Sequence, residues 1–359
     1  MTSLDDAIER FDYVFDKTLI AASPMKPRDK SRLLVYDRKT ETMTHQQFSS
    51  ILEYLRPNDL LIVNNTRVFP ARIHAHKNEG GGKVALLLLR EVAKLQWEAM
   101  VKGHITSETV LTLNGGAEAR LVNVLEGGRK VIALTLPHPS NNLYAYLAKW
   151  GEVPLPPYIL QRRKEILTDE KDADLYQTVY ARSPAEAGKL TSSAAPTAGL
   201  HFTKRLIAGL LQKGISMATV TLKIGLDTFK PIATDRLSHH KMVGEIFEVS
   251  TKTANAIAKA KALGGRIIAV GTSATRSIES ATNAEGRVMP MCGETKLFIS
   301  PGYVFRSIDA LITNFHPPRA SGLVLVSAFL GYNTTFRLYQ EAFREKYRLF
   351  SYGDAMLIC

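Results

Sequence analysis

Between Arg72 and Leu136 the chain shows no helical periodicity; it is a row of short apolar runs separated by paired or tripled glycines. The runs are Lys83–Val92, Trp97–Val101, Thr109–Leu113, Ala119–Leu125 and Lys130–Leu136, and Gly80-Gly81-Gly82, Gly115-Gly116 and Gly127-Gly128 stand between them. Glycine supplies the positive φ of tight hairpin turns, so this punctuation predicts an antiparallel all-β sandwich or barrel. On the C-terminal side, helix and strand alternate instead. Thr203 opens a helix with Leu206, Ile207, Leu210 and Leu211 on one face, stopped by Gly214 and followed by a strand over Met217–Leu222. Thr251 is placed to cap a second helix, with Ala254, Ile257, Ala258 and Ala262 on its apolar side; Gly264-Gly265 ends it and the strand Ile267–Val270 follows. Phe336, Tyr339, Phe343 and Tyr347 recur at helical spacing. The expected fold is therefore α/β: a largely parallel sheet with flanking helices in a discontinuous main domain, residues 1–70 and 150–359. A small antiparallel β-barrel domain, residues 71–149, is inserted between the strand Leu60–Val63 and the hinge Val153-Pro154-Leu155-Pro156-Pro157.

A chain of 359 residues can bury two such cores. With 45% apolar and 22% charged residues it is an ordinary globular composition, which excludes disorder, collagen-like repeats and a coiled coil. Lys and Arg number 46 against 34 Asp and Glu, a net charge of +12, and an excess of that size points to an anionic partner. Cys292 and Cys359 are far apart and form no zinc-type spacing with histidine, so neither a disulfide framework nor a metal site is expected. Asp5, Asp6, Glu9 and Arg10 are incompatible with a signal peptide. The longest apolar run, Leu323–Leu330, falls far short of the roughly 20 residues of a spanning helix. A cytoplasmic, monomeric protein without membrane attachment is the expectation.

Four expected strands end in polar clusters. Leu60–Val63 runs into Asn64-Asn65-Thr66-Arg67, and Thr219–Leu222 into Lys223 through Thr228. Ile267–Val270 runs into Gly271-Thr272-Ser273-Ala274-Thr275-Arg276, and Ala310–Ile312 into Thr313-Asn314-Phe315-His316. Ligands of open α/β sheets bind beyond the carboxyl ends of the strands, so four polar tips on one edge suggest one pocket, whereas each tip alone is ordinary turn chemistry. In Ser192–Thr203 small residues around Pro196, with Thr197 and Gly199, let the backbone approach a ligand closely. His201 precedes the helix that opens at Thr203, whose positive end would favour a neutral imidazole. His316 is the second candidate for proton transfer, and Asp227, Glu245 and Glu279 are the acidic candidates. Neither a dinucleotide glycine fingerprint nor a Walker lysine loop is present. Arginines cluster at Arg28 and Arg32, Arg67 and Arg72, Arg162-Arg163-Lys164, and Arg344 and Arg348. Tyr158, Tyr176, Tyr180, Tyr347 and Tyr352 lie nearby in sequence, a mixture suited to phosphates and unpaired bases.

The ordered set Phe11-Asp12-Tyr13, Arg28–Val35, Asp59–Val68, Pro70-Ala71-Arg72, Glu152–Tyr158, Tyr176–Ala181, Ala194–Thr203, Thr313–His316 and Ser351–Leu357 spans nearly the whole chain. It resembles the S-adenosylmethionine:tRNA ribosyltransferase-isomerase family of queuosine biosynthesis. The resemblance implies an α/β domain with an inserted β-barrel. It also implies transfer and isomerisation of the ribosyl moiety of S-adenosylmethionine onto 7-aminomethyl-7-deazaguanine at the tRNA wobble position, giving epoxyqueuosine, adenine and methionine. S-adenosylmethionine is then a consumed cosubstrate and no cofactor is expected. Under that reading His201 and His316 share the proton transfers, and Asn64, Thr66, Thr272 and Asn314 position ribosyl and adenine. Arg67 or Arg276 holds the methionine carboxylate, and Arg28, Arg32 and Arg72, with Tyr158, face the tRNA. The chain departs from the family pattern at Lys223 and Val243, where histidines are usual, and at Asp227, where glycine is usual. It departs again at Ala85, where an acidic residue is common, and at Pro317, Ala320, Ser321 and Gly322, after His316. These departures keep two alternatives open: an RNA-binding paralogue without this activity, and a transferase of the same fold acting on another nucleoside.

Overall fold

The computed structural model describes residues 6–125, 128–138, 142–163, 170–183, 191–225, 228 and 230–359; Lys164 and Asp227 lie outside them. Its strands are β1 (Arg32–Asp37), β2 (Thr42–Gln47), β3 (Leu60–Asn64), β4 (Arg67–Val68), β5 (Arg72–Lys77), β6 (Lys83–Ala93), β7 (Gln96–Lys102), β8 (Val110–Leu113) and β9 (Glu118–Val124). Then follow β10 (Lys130–Thr135), β11 (Thr191–Ser192), β12 (Ser216–Leu222), β13 (Glu245–Val249), β14 (Ile267–Val270), β15 (Met291–Thr295), β16 (Ala310–Asn314) and β17 (Ala355–Ile358).

Nine strands form one sheet in the order β15-β13-β12-β3-β14-β16-β17-β1-β2. Its centre, β12-β3-β14-β16, is parallel, with Leu61 opposite both Met217 and Ile268. Every residue of β3, β14 and β16 is buried, as expected of parallel strands covered on both faces. The alternation is visible in the packing. Leu60, Ile62, Ile267 and Ala269 join one core with the helices Thr251–Ala262, Thr272–Ser280 and Ser321–Leu330. Leu61, Val63, Ile268 and Val270 join the other, with Leu206 and Leu210 of the helix Lys204–Gln212. Outside this centre the pairings β12-β13, β13-β15, β16-β17 and β1-β2 are antiparallel, so the sheet is mixed around a parallel middle.

Helix boundaries follow local chemistry. Thr203 caps its helix by accepting from the Leu206 amide at 3.1 Å. The cap of Thr251–Ala262 is Ser250, one residue before the threonine expected in that role, and it accepts from Thr253. Tyr347 lies beyond the helix Tyr332–Arg344; the chain turns at Lys346, with φ +53°, and Tyr347 enters the core from a loop.

Strands β10-β7-β6-β5-β8-β9 close into an antiparallel barrel, with β9 pairing back to β10. Its core holds Trp97, Leu86, Leu88, Ile73, Leu111 and Ile132. The helix Leu143–Trp150, which periodicity within the barrel segment did not reveal, adds Leu143, Tyr146 and Leu147 to that core. Gly115 is at φ +83°, and a Cβ there would lie 2.3 Å from Trp150 Nε1, so the turn admits only glycine. Among the described residues no helix is long and apolar enough to cross a membrane.

Candidate active site

The parallel strands deliver their carboxyl ends to a cleft that encloses about 960 Å³ of empty space, counted out to its open mouth. Leu222 ends β12 and Ile224 follows it, Gly271, Thr272 and Ser273 follow β14, and Thr313 and Asn314 end β16 with Phe315 and His316 just beyond. Ala195 to Ala198 come from the small-residue loop. Two helix N-termini open onto the space, at Thr272–Ser273 and at Ser321–Gly322, and present backbone N–H groups that have no partner within their own helices.

Seven of the residues singled out by sequence meet here: Tyr158, Pro196, Thr197, Thr272, Arg276, Asn314 and His316. The acidic candidate Glu245 also lines it, whereas Asn64, Thr66, Arg67, Gly199 and His201 do not. Asn64 is fully buried behind it: Nδ2 donates to Leu222 O and Ser273 Oγ, both at 3.1 Å, and Oδ1 accepts from the amides of Thr66 and Leu222. All its hydrogen-bonding capacity ties the β3 tip to its neighbours. Thr66 is buried against Ser192 Oγ at 2.5 Å. Arg67 donates to the Arg182 carbonyl at 3.1 Å. Gly199 serves packing, since a Cβ there would lie 2.0 Å from the Tyr180 hydroxyl.

The arginines expected to face tRNA are half-buried and have partners within the chain. Arg28 donates to the carbonyls of Asp174, Leu175 and Gln177. Arg32 donates to Glu345 O at 2.5 Å and stacks over Tyr347. Arg72 is half-buried beside Glu152, with which its backbone pairs.

The two histidines differ in position. His316 lines the cleft. Its Nε2 is 2.9 Å from Thr313 Oγ1, its amide donates to the Tyr339 hydroxyl at 2.8 Å, and its carbonyl accepts from Tyr13. Burial pushes its pKa down to about 4, so it is neutral at pH 7. Gly322 packs on the ring: a Cβ would sit 2.5 Å from Nδ1. His201 lies one layer further in, behind Asn314, beside a small neighbouring pocket that contains Arg28, Ser31 and Tyr352. Its ring stacks on Phe48 at 4.9 Å. Burial first, then the nearby Arg348 charge, pushes its pKa down to about 3. The two imidazoles therefore do not share a cleft, contrary to the sequence-based expectation. The helix that opens at Thr203 is not needed to explain a neutral His201.

A family model for queuosine biosynthesis proteins matches residues 8–358. The chain belongs to that family. It is 41% identical to the S-adenosylmethionine:tRNA ribosyltransferase-isomerase of Desulforamulus reducens, over 97% of this chain and 98% of the relative. The crystal structure of S-adenosylmethionine tRNA ribosyltransferase from Thermotoga maritima matches with a TM-score of 0.53 at 31% identity, covering 98% of this chain and all of the other.

Within this queuosine biosynthesis family member, the cleft also contains residues that the sequence reading left without a role. Glu245, at the start of β13, pairs with Arg276 Nη1, while Arg276 Nε donates to the Leu297 carbonyl at 2.9 Å. Arg276 Nη2 is buried with no partner among the described residues. Glu245 was visible as an acid, but its partner is on another element and no spacing rule joins them. Ser273, Met242, Phe298 and Ser351 were not singled out; Ser351 Oγ lies 2.6 Å from the Tyr158 hydroxyl. Glu279, the third acidic candidate, accepts from Tyr303 and from the amides of Arg306 and Ser307, and so anchors a loop outside the cleft. Lys223 is turned toward the barrel, where burial and Arg90 lower its pKa, and Val243 is exposed.

Proposed function

We propose that the chain transfers and isomerises the ribosyl moiety of S-adenosylmethionine onto 7-aminomethyl-7-deazaguanine at the wobble position of tRNA. The products are epoxyqueuosine-tRNA, adenine and methionine, and S-adenosylmethionine is consumed as a cosubstrate. The observation that carries this reading is the meeting of a neutral imidazole and a buried guanidinium with one unpartnered nitrogen, Arg276 Nη2, in one open cleft of a chain that the family model matches over residues 8–358.

The reaction asks for a base to remove a proton made acidic by the sulfonium. His316 is unprotonated at neutral pH and is held from three sides. A Thr313 hydroxyl hydrogen donated to the Asn314 carbonyl, 3.4 Å away and able only to accept, would leave Oγ1 to accept from His316 Nε2 at 2.9 Å. In that tautomer Nε2 of His316 carries the ring proton and Nδ1 is the nitrogen that accepts. Arg276 Nη2 and the N-terminus of Thr272–Ser280 suit the methionine carboxylate: the guanidinium is already charge-paired through Nη1, and Nη2 needs an acceptor. Thr272, Thr197 and Asn314 surround the place left for the nucleoside, and Tyr158 offers it a ring.

Adenine release measured with S-adenosylmethionine and tRNA carrying the deazaguanine precursor tests the proposal. Release that depends on that tRNA is expected. Release without it would indicate another nucleoside acceptor, and tRNA binding without release would indicate the non-catalytic paralogue.

A further inference from the structure

The amide of Asn314 separates the cleft from His201, and its orientation is set by its surroundings. The Phe350 carbonyl can only accept, so the atom 3.0 Å from it is the amide nitrogen Nδ2. The same nitrogen lies 3.2 Å from His201 Nε2, which must therefore present a lone pair. The ring proton of His201 is then on Nδ1, donated to Ser31 Oγ at 2.8 Å, and stacking on Phe48 fixes the ring plane. With both amide hydrogens directed inward, Oδ1 of Asn314 is the polar atom that remains. It is buried, has no partner among the described residues, and belongs to a side chain that lines the cleft. Asn314 itself is 2% exposed.

We infer that His201 is a positioning residue: with the Phe350 carbonyl it holds Asn314 so that the amide oxygen faces the cleft as a fixed acceptor for an N–H or O–H group of the bound nucleoside. A protonated His201 could not perform this role, since imidazolium has no acceptor to offer Asn314. Burial and the two flanking arginines, Arg348 and Arg28, keep it neutral. That the ligand is a nucleoside, and which of its groups donates, a ribose hydroxyl or the adenine amino group, rests on the proposed function; the orientation of Asn314 by His201 does not.

The first test does not involve turnover. Nitrogen-15 NMR of the full chain at pH 7, with His201 assigned from the signal lost in His201→Gln, should show Nδ1 protonated and Nε2 bare. A proton on Nε2, or an imidazolium, would overturn the inference whether or not the chain is the proposed transferase.

The second test is kinetic. His201→Gln keeps an oxygen that can accept from Asn314 and should retain kcat within about tenfold, whereas His201→Leu should raise the KM for S-adenosylmethionine by roughly tenfold or more with a smaller change in kcat. Asn314→Ala should behave like His201→Leu, and the double variant should be no worse than Asn314→Ala alone. A loss of kcat in His201→Gln of about 10³ at unchanged KM would make His201 a proton carrier and sink the positioning role. Analogues lacking one ribose hydroxyl or the 6-amino group identify the donor: the one that lacks it should bind equally to wild type and Asn314→Ala.

Discussion

The barrel and the carboxyl edge of the sheet solve opposite problems. The barrel has no free strand edge, and its interior is filled by Trp97 and aliphatic side chains. The sheet edge gathers buried polar groups and leaves some of them unpaired, Arg276 Nη2 and Asn314 Oδ1 among them. All of the cleft lining comes from outside the barrel strands. An unsatisfied buried polar group is unfavourable to folding, and the barrel holds one as well, Trp97 Nε1; what sets the sheet edge apart is that its unpaired groups, Arg276 Nη2 and Asn314 Oδ1, belong to side chains that line an open cleft.

Substitutions can break that division. The largest expected effect is on the barrel: Trp97→Ala should destabilise it by about 3–5 kcal/mol in urea unfolding, through loss of buried area and the cavity left behind. Adenine release per folded molecule should stay unchanged, and a parallel loss of turnover would show that the two regions are coupled. Next, His316→Gln should lower kcat by about 10²- to 10³-fold without moving the unfolding midpoint, as expected of a lost general base. An unaltered rate would remove His316 from the mechanism.

A smaller effect separates the regions by pH. In the folded state His201 has a pKa of about 3, against an ordinary 6.5, so the unfolded chain binds the extra proton between those values. The stability from keeping this ring neutral is present above pH 6.5 and is lost as pH falls toward 3. From pH 7 to pH 5 the loss is roughly 2 kcal/mol. Comparing urea unfolding at the two pH values for wild type and His201→Gln isolates it; equal slopes would contradict the buried neutral ring. The smallest effect is at Gly322. Gly322→Ala favours the helix intrinsically but drives a methyl group into His316, so kcat should fall about tenfold while stability changes by less than about 1 kcal/mol.

The barrel was legible because paired or tripled glycines mark three of its turns and five of its six strands carry an apolar run; β5, where His74 and His76 alternate with Ile73 and Ala75, and the glycine-free β6-β7 turn at Lys94-Leu95 lack those signals. The parallel strands were legible for a related reason: full burial makes β3, β14 and β16 continuous apolar stretches. The strands β2 and β15 were not, because they lie at the sheet's two edges with mostly exposed side chains and lack both signals. Three of the four polar tips do converge on the cleft. The tip at Asn64 looks the same in sequence, yet its side chain braces the other tips from behind, a difference set by two hydrogen bonds to Leu222 and one to Ser273. Residue type likewise could not tell His201 from His316. One layer of packing, the Asn314 side chain, separates them, and nothing in the spacing of the chain encodes it.

The strand β17 lies inside the sheet, pairing parallel to β1, with Leu33 opposite Ala355, and antiparallel to β16. During synthesis the β1-β2 hairpin leaves the ribosome early but has no place to dock until residues 355–358 have also emerged. The parallel centre and the barrel contain neither strand, so both can form while the β1 edge still waits for β17. The pairing of β1 with β17 thus joins segments far apart in sequence, the kind of contact that forms slowly and leaves an unpaired strand open to other chains until it is made.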